Sequence, residues 1–150
     1  MKPLIVLFVV FIVSVFALKL VRRKFDFALS GRIAMSVMLL FTAIGHFAFT
    51  KGMSMMIPDF VPSRIGIIYI TGVIEIAAAI ALLIPAWRVP TAWLLIVFFI
   101  LLLPANIYAA IKHIDIEKAT LNGAGLEYLW FRVPLQILFI TWTYISSIRL

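Results

Sequence analysis

A single carboxylate in a long apolar stretch sets what chemistry this chain can do. Residues 65–84 read I-G-I-I-Y-I-T-G-V-I-E-I-A-A-A-I-A-L-L-I, and Glu75 is their only acidic or basic side chain. A run of that length spans a bilayer, which needs about 20 apolar residues. A carboxylate that stays charged near the centre of such a helix costs roughly 2.5 kcal/mol or more. Glu75 must therefore be neutral, paired, or open to a wet cavity. Two readings follow. It anchors a ligand or exchanges a proton, or it is a protonated acid bonded to a neighbouring helix, fixing the packing.

Other polar residues gather at one depth. Asp59 and Arg64 flank the entry to this segment and are spaced to pair across a turn. Tyr69 lies between Glu75 and that entry, and Glu75 is ten residues in from Ile65, roughly 15 Å deeper. His46 falls near the same end of the preceding apolar run, Asn106 near that end of the following one, and Arg132 and Gln136 near that end of the last. The opposite half of the runs is almost wholly apolar. Such a distribution fits a pocket open to one side, with Glu75 near its floor and His46 placed to relay a proton. Each residue also has a plain role. His46 can be an interface residue, Arg132 can snorkel, and Asn106 can repair a kink at Pro104.

The elements that must hold these residues are membrane helices. Hydrophobic residues make up 65% of the 150 and charged ones 13%, against roughly 25% charged in a soluble domain. The fold class is all-α, an integral membrane protein with five spans. The spans are about Pro3–Val21, Ile33–Phe49, Ile65–Trp87, Val89–Ile111 and Leu129–Ile148. The first apolar run continues into L-K-L-V-R-R-K with no small-residue cleavage site before the charges, which marks an anchor and not a cleaved signal. Ser30 and Ser63 are candidate N-caps for the second and third spans. The loop of residues 50–64, rich in Met and pinned by Pro58 and Pro62, is expected on the membrane surface or dipping into the bundle. Residues 112–127 form the longest polar stretch, with a turn expected at 122–125.

The formal charge of +7 would point to nucleic acid in a soluble chain. Here Lys19, Arg22, Arg23, Lys24 and Arg32 cluster between the first two spans, where they act as a topology signal and attract anionic lipid. Basic loops stay inside, so the N-terminus is expected outside and the C-terminus in the cytoplasm. The absence of Cys excludes disulfides and thiolate chemistry within the chain, and two His residues argue against a haem or metal site of its own. No nucleophile–base pair or dinucleotide fingerprint occurs, so an autonomous catalyst is disfavoured.

In sequence order, G-H-F (45–47), M-I-P-D-F-V-P (56–62), Y-I-T-G-V-I-E-I (69–76), L-L-I-P-A-W-R (82–88), L-P-A-N-I (103–107) and R-V-P-L-Q (132–136) resemble the DoxX/DoxD-like family of small bacterial membrane proteins. The resemblance covers about residues 33–148. It implies a four-helix transmembrane bundle over residues 33–150, preceded here by an extra N-terminal helix and basic loop over 1–32. It also implies a bacterial inner-membrane location. Members of that family are associated with thiosulfate:quinone oxidoreduction or accompany redox and stress-response enzymes. The thiol chemistry of more distant relatives does not carry over to a chain without Cys.

Three functions follow as expectations. The first is an accessory or ligand-binding subunit of a membrane-associated redox or stress-response system, holding a quinone or another amphipathic molecule and docking a redox partner. The second is a proton-coupled small-solute transporter using Glu75. That would require a homo-oligomer, since five spans without a repeat fall short of the two-fold design of such proteins. The third is a purely structural assembly protein.

Overall fold

The structure, a computed structural model, describes residues 2–150. Its long helices follow the apolar runs, as backbone groups in a membrane must be satisfied within their own segment. They are α1 (Lys2–Arg22), α2 (Phe27–Ala48), the short α3 (Thr50–Ser54), α4 (Arg64–Ala81), α5 (Arg88–Ile111) and α6 (Leu129–Tyr144). Four segments are long and apolar enough to cross a membrane: Lys2–Arg22, Phe27–Ala48, Arg64–Leu83 and Arg88–Ile111. α6 alone has 16 residues, fewer than the about 20 a span needs. It is continuous with a 3-10 turn at Leu126–Tyr128 and a π turn at Ile145–Arg149.

α2 starts six residues earlier than the sequence expectation. Asp26, not Ser30, is its N-cap, accepting the Leu29 backbone N–H at 2.9 Å. Ser30 lies inside the first turn, where its hydroxyl donates to the Asp26 carbonyl at 2.7 Å. Ser63 does precede α4, but with φ of 54° and no capping bond from its side chain.

The chain passes along the bundle in alternating directions. At one end Lys2 meets Glu117 at 2.7 Å, tying the start of α1 to the 112–127 loop. At the other end Trp142 Nε1 donates to the Gly31 carbonyl at 3.0 Å, bringing the end of α6 to the start of α2. α5 and α6 are antiparallel, with Phe99 against Phe139 and Trp93 against Tyr144 at ring separations of 5.8 and 6.1 Å. One core joins all five long helices: Leu7, Met35, Met38, Leu39, Ala79, Leu82, Leu95, Phe99, Leu135 and Phe139 are buried together. α1 is packed into this assembly, with Phe8 and Phe11 edge-on to Trp142 at 5.8 and 4.9 Å. Its other face leaves Ile5, Val9, Ile12, Val13 and Phe16 exposed. Helices α2, α4 and α5 also expose apolar residues, and a surface this apolar requires lipid around it.

The polar loops form a folded cap on the Lys2 end. Asp115 and Thr120 pair through two backbone hydrogen bonds of 2.8 and 3.3 Å, so the chain reverses there as well as at Gly123, whose N–H meets the His113 carbonyl at 2.7 Å. α3 is tucked beneath this loop. Gly52 is buried, and a Cβ on it would run into the Ile116 carbonyl.

Candidate functional site

Glu75 and His46 meet across the α2–α4 interface. On α4 the buried positions are Ile68, Gly72, Glu75 and Ala79, spaced three or four apart so that one face turns inward. On α2 His46 and Thr42 are four residues apart and therefore neighbours on one face. Gly72 lets the helices close: a Cβ there would lie 3.0 Å from His46 Cβ and 3.2 Å from the Phe47 ring. Small residues at membrane helix contacts have this effect generally.

Glu75 is 3% exposed and His46 7%, and their polar atoms are engaged. Thr42 Oγ1 donates to Glu75 Oε2 at 2.9 Å. His46 Nε2 lies 3.4 Å from Glu75 Oε1. On the other side of the ring, His46 Nδ1 is 3.1 Å from the Ile68 carbonyl and 3.0 Å from Thr71 Oγ1. Thr71 Oγ1 is also 3.0 Å from the Ile67 carbonyl and 2.9 Å from that of Ile68. This hydroxyl has two uses. Directed at Nδ1 it serves a neutral imidazole whose proton is on Nε2. Directed at a carbonyl it leaves Nδ1–H free to donate to Ile68, which serves an imidazolium. The cluster is thus a buried acid–imidazole pair able to hold one proton more or less with its partners in place.

The other expected site residues divide into separate groups. Asp59 and Arg64 pair at 2.8 Å on the exposed cap. They line a cavity of about 220 Å3 together with Met55, Tyr108, Lys112 and Leu121; neither Glu75 nor His46 lines it. Tyr69 is exposed and its ring is stacked on Phe47 at 5.7 Å. Asn106 bonds locally, donating to the Leu102 carbonyl at 3.0 Å. Gln136 makes the cross-helix contact near Pro104: its Nε2 donates to the Phe99 carbonyl at 2.6 Å, next to the acceptor at Ile100 that Pro104 leaves without its N–H. Arg132 is half-buried, makes no ion pair among the described residues, and has its Nε buried without a hydrogen-bond partner.

Thr42 and Thr71 complete the cluster and were not singled out from the sequence. The available signal was spacing: Thr42 precedes His46 by four residues and Thr71 precedes Glu75 by four. Among the described residues no three His, Asp or Glu side chains group as a metal site would require.

No curated protein and no solved structure matches the chain. One family model does match, over residues 35–147. The match takes in Thr42, His46, Thr71 and Glu75 and leaves α1 outside. By this match over about three quarters of its length, the chain belongs to the family described as a domain of unknown function, DUF8561.

Proposed function

We propose that this chain is a five-span membrane protein of the bacterial inner membrane, with its N-terminus outside and its C-terminus in the cytoplasm. In this proposal it is an accessory subunit of a membrane-associated redox or stress-response system, and the Glu75–His46 pair is the polar anchor for a quinone-like or other amphipathic ligand. The observation that carries the proposal is the pair itself. A carboxylate and an imidazole, both buried within apolar spans, are costly to keep in a membrane and mark functional sites by default. Chemically the pair fits such a ligand. To hold it, the imidazole Nε2–H would exchange its 3.4 Å contact with Glu75 for a ligand carbonyl oxygen, and the carboxylate beside it would hand on a proton. The DoxX-like motifs point to the redox context. Support for α6 as the fifth span comes from its flanking turns: residues 126–149 continue the helical path and at about 1.5 Å per residue reach bilayer thickness.

The test is purification of the full chain in mild detergent, with small molecules and co-eluting proteins read together by mass spectrometry. A lipid-soluble redox compound or a soluble oxidoreductase in stoichiometric amount, lost from Glu75→Gln, is the expected result. A protein carrying only bulk phospholipid overturns the proposal. A second reading, a structural clamp, is favoured by the engagement of both Glu75 oxygens with α2. On that reading Glu75→Gln changes neither cargo nor partners.

A further inference from the structure

A second polar feature lies at the opposite end of the bundle from the cap, where α1 ends, α2 begins and α4 turns into α5. A cavity of about 240 Å3 opens there, walled by Arg22, Asp26, Arg32 and Arg88 over the apolar Leu82 and Pro85. Three guanidinium groups face one carboxylate, and that carboxylate is occupied. Asp26 Oδ1 caps α2 through the Leu29 N–H at 2.9 Å, and Oδ2 lies 3.6 Å from Arg22 Nη1. Arg32 and Arg88 form no ion pair among the described residues. Arg32 Nη1 is buried without a hydrogen-bond partner, a condition native structures rarely leave uncorrected. The N-terminus of α5 begins at Arg88 with no side-chain cap, so its positive dipole end adds to the same field.

We propose that this cavity binds a phosphate group, carried by an anionic phospholipid headgroup or by free phosphate. Guanidinium groups match phosphate oxygens in paired hydrogen bonds. The volume is below the about 300–1,000 Å3 of pockets that enclose drug-sized ligands, which suits a headgroup whose remainder lies outside. Topology alone accounts for basic residues at this end. It does not account for Arg32 and Arg88 converging with Arg22 on a walled cavity whose one carboxylate is already bonded to the Leu29 N–H and paired with Arg22. The site is separate from the Glu75 pair and stands without it.

The test uses the full chain in mild detergent, washed of bulk lipid. Native mass spectrometry reads retention of added phosphatidylglycerol, and thermal unfolding is compared in sodium phosphate and in sodium chloride of equal ionic strength. Wild type is compared with Arg32→Gln, with Arg88→Gln and with Lys24→Gln, which removes the same charge from an exposed position outside the cavity. The expected result is one retained phospholipid in wild type and Lys24→Gln, weakened about tenfold or more in Arg32→Gln, the worth of one hydrogen bond to a charged group. Stabilisation by phosphate that is absent in Arg32→Gln, without retained lipid, assigns the site to free phosphate. Retention and stabilisation that are absent in wild type, or equal in all variants, overturn the proposal. Should Arg32→Gln fail to fold, Arg88→Gln carries the same comparison.

Discussion

Replacing Glu75 by Leu and by Gln separates hydrogen bonding from charge at the buried pair. In Glu75→Leu the two donors lose their acceptor. Thr42 loses little, because its hydroxyl already reaches the Leu39 carbonyl at 3.0 Å. His46 loses more. Its Nδ1 keeps one partner, the Thr71 hydroxyl or the Ile68 carbonyl, but Nε2 is left buried and unpaired, a loss of about 1–3 kcal/mol in a soluble protein. Hydrogen bonds within membranes average nearer about 0.6 kcal/mol, with a maximum about 1.7, since the unfolded helices also find partners. The expected loss for Leu is therefore about 1–2 kcal/mol, roughly a 5- to 30-fold fall in the folding equilibrium. In Glu75→Gln the amide oxygen accepts from His46 Nε2 and the amide N–H donates to Thr42, which turns its own proton to Leu39. His46 and Thr42 both keep a partner, so the loss stays under about 0.6 kcal/mol. Reversible unfolding in mixed micelles, followed by circular dichroism, measures both variants. Two results refute this account. One is Leu as stable as wild type. The other is Gln falling as far as Leu, with both losses near the about 3–5 kcal/mol of a broken buried ion pair.

Two further outcomes test the packing around the site. Gly52→Ala drives its new methyl into the Ile116 carbonyl, so it should cost about 1–3 kcal/mol by overpacking and make the 112–127 loop accessible to limited proteolysis. Gln136→Leu removes the donor to the Phe99 carbonyl and should lower stability by about 0.6 kcal/mol, up to about 1.7; amide exchange within α5 near Phe99 should rise with it.

Much of this architecture was legible because membrane segments announce themselves by length and apolarity. Glu75 stood out for the same reason, as a lone carboxylate in 20 residues. Its partners were harder to read. A Thr in a helix commonly bonds its own backbone, and Thr42 does so at Leu39, so nothing in its type or position announces a second role. Which faces of α2 and α4 meet depends on Gly72 and the close approach it permits, and many glycines in a membrane chain do no such thing. By depth along the spans alone, eight polar residues fall together. In the structure Asp59 and Arg64 pair on the exposed cap, Asn106 and Gln136 bond to carbonyls of α5, and Tyr69 stacks on Phe47; the rotation of a helix about its axis is weakly encoded when nearly every face is apolar. The start of α2 was obscured by F-D-F between basic residues and an apolar run, where the capping role of Asp26 outweighs its charge.

The Thr71 hydroxyl is the part of the pair that can turn. Its three neighbours, one ring nitrogen and two carbonyl oxygens, all lie within 2.9–3.0 Å. When a proton is added to or taken from Nδ1, the Thr71 side of the site can therefore answer by turning one hydrogen about a C–O bond, while the heavy atoms around it stay where they are. Reorganisation energy is small in such an arrangement. A change of charge on the ring should register as a shift in vibrational frequencies of the imidazole and the carboxyl group, with no accompanying change of shape.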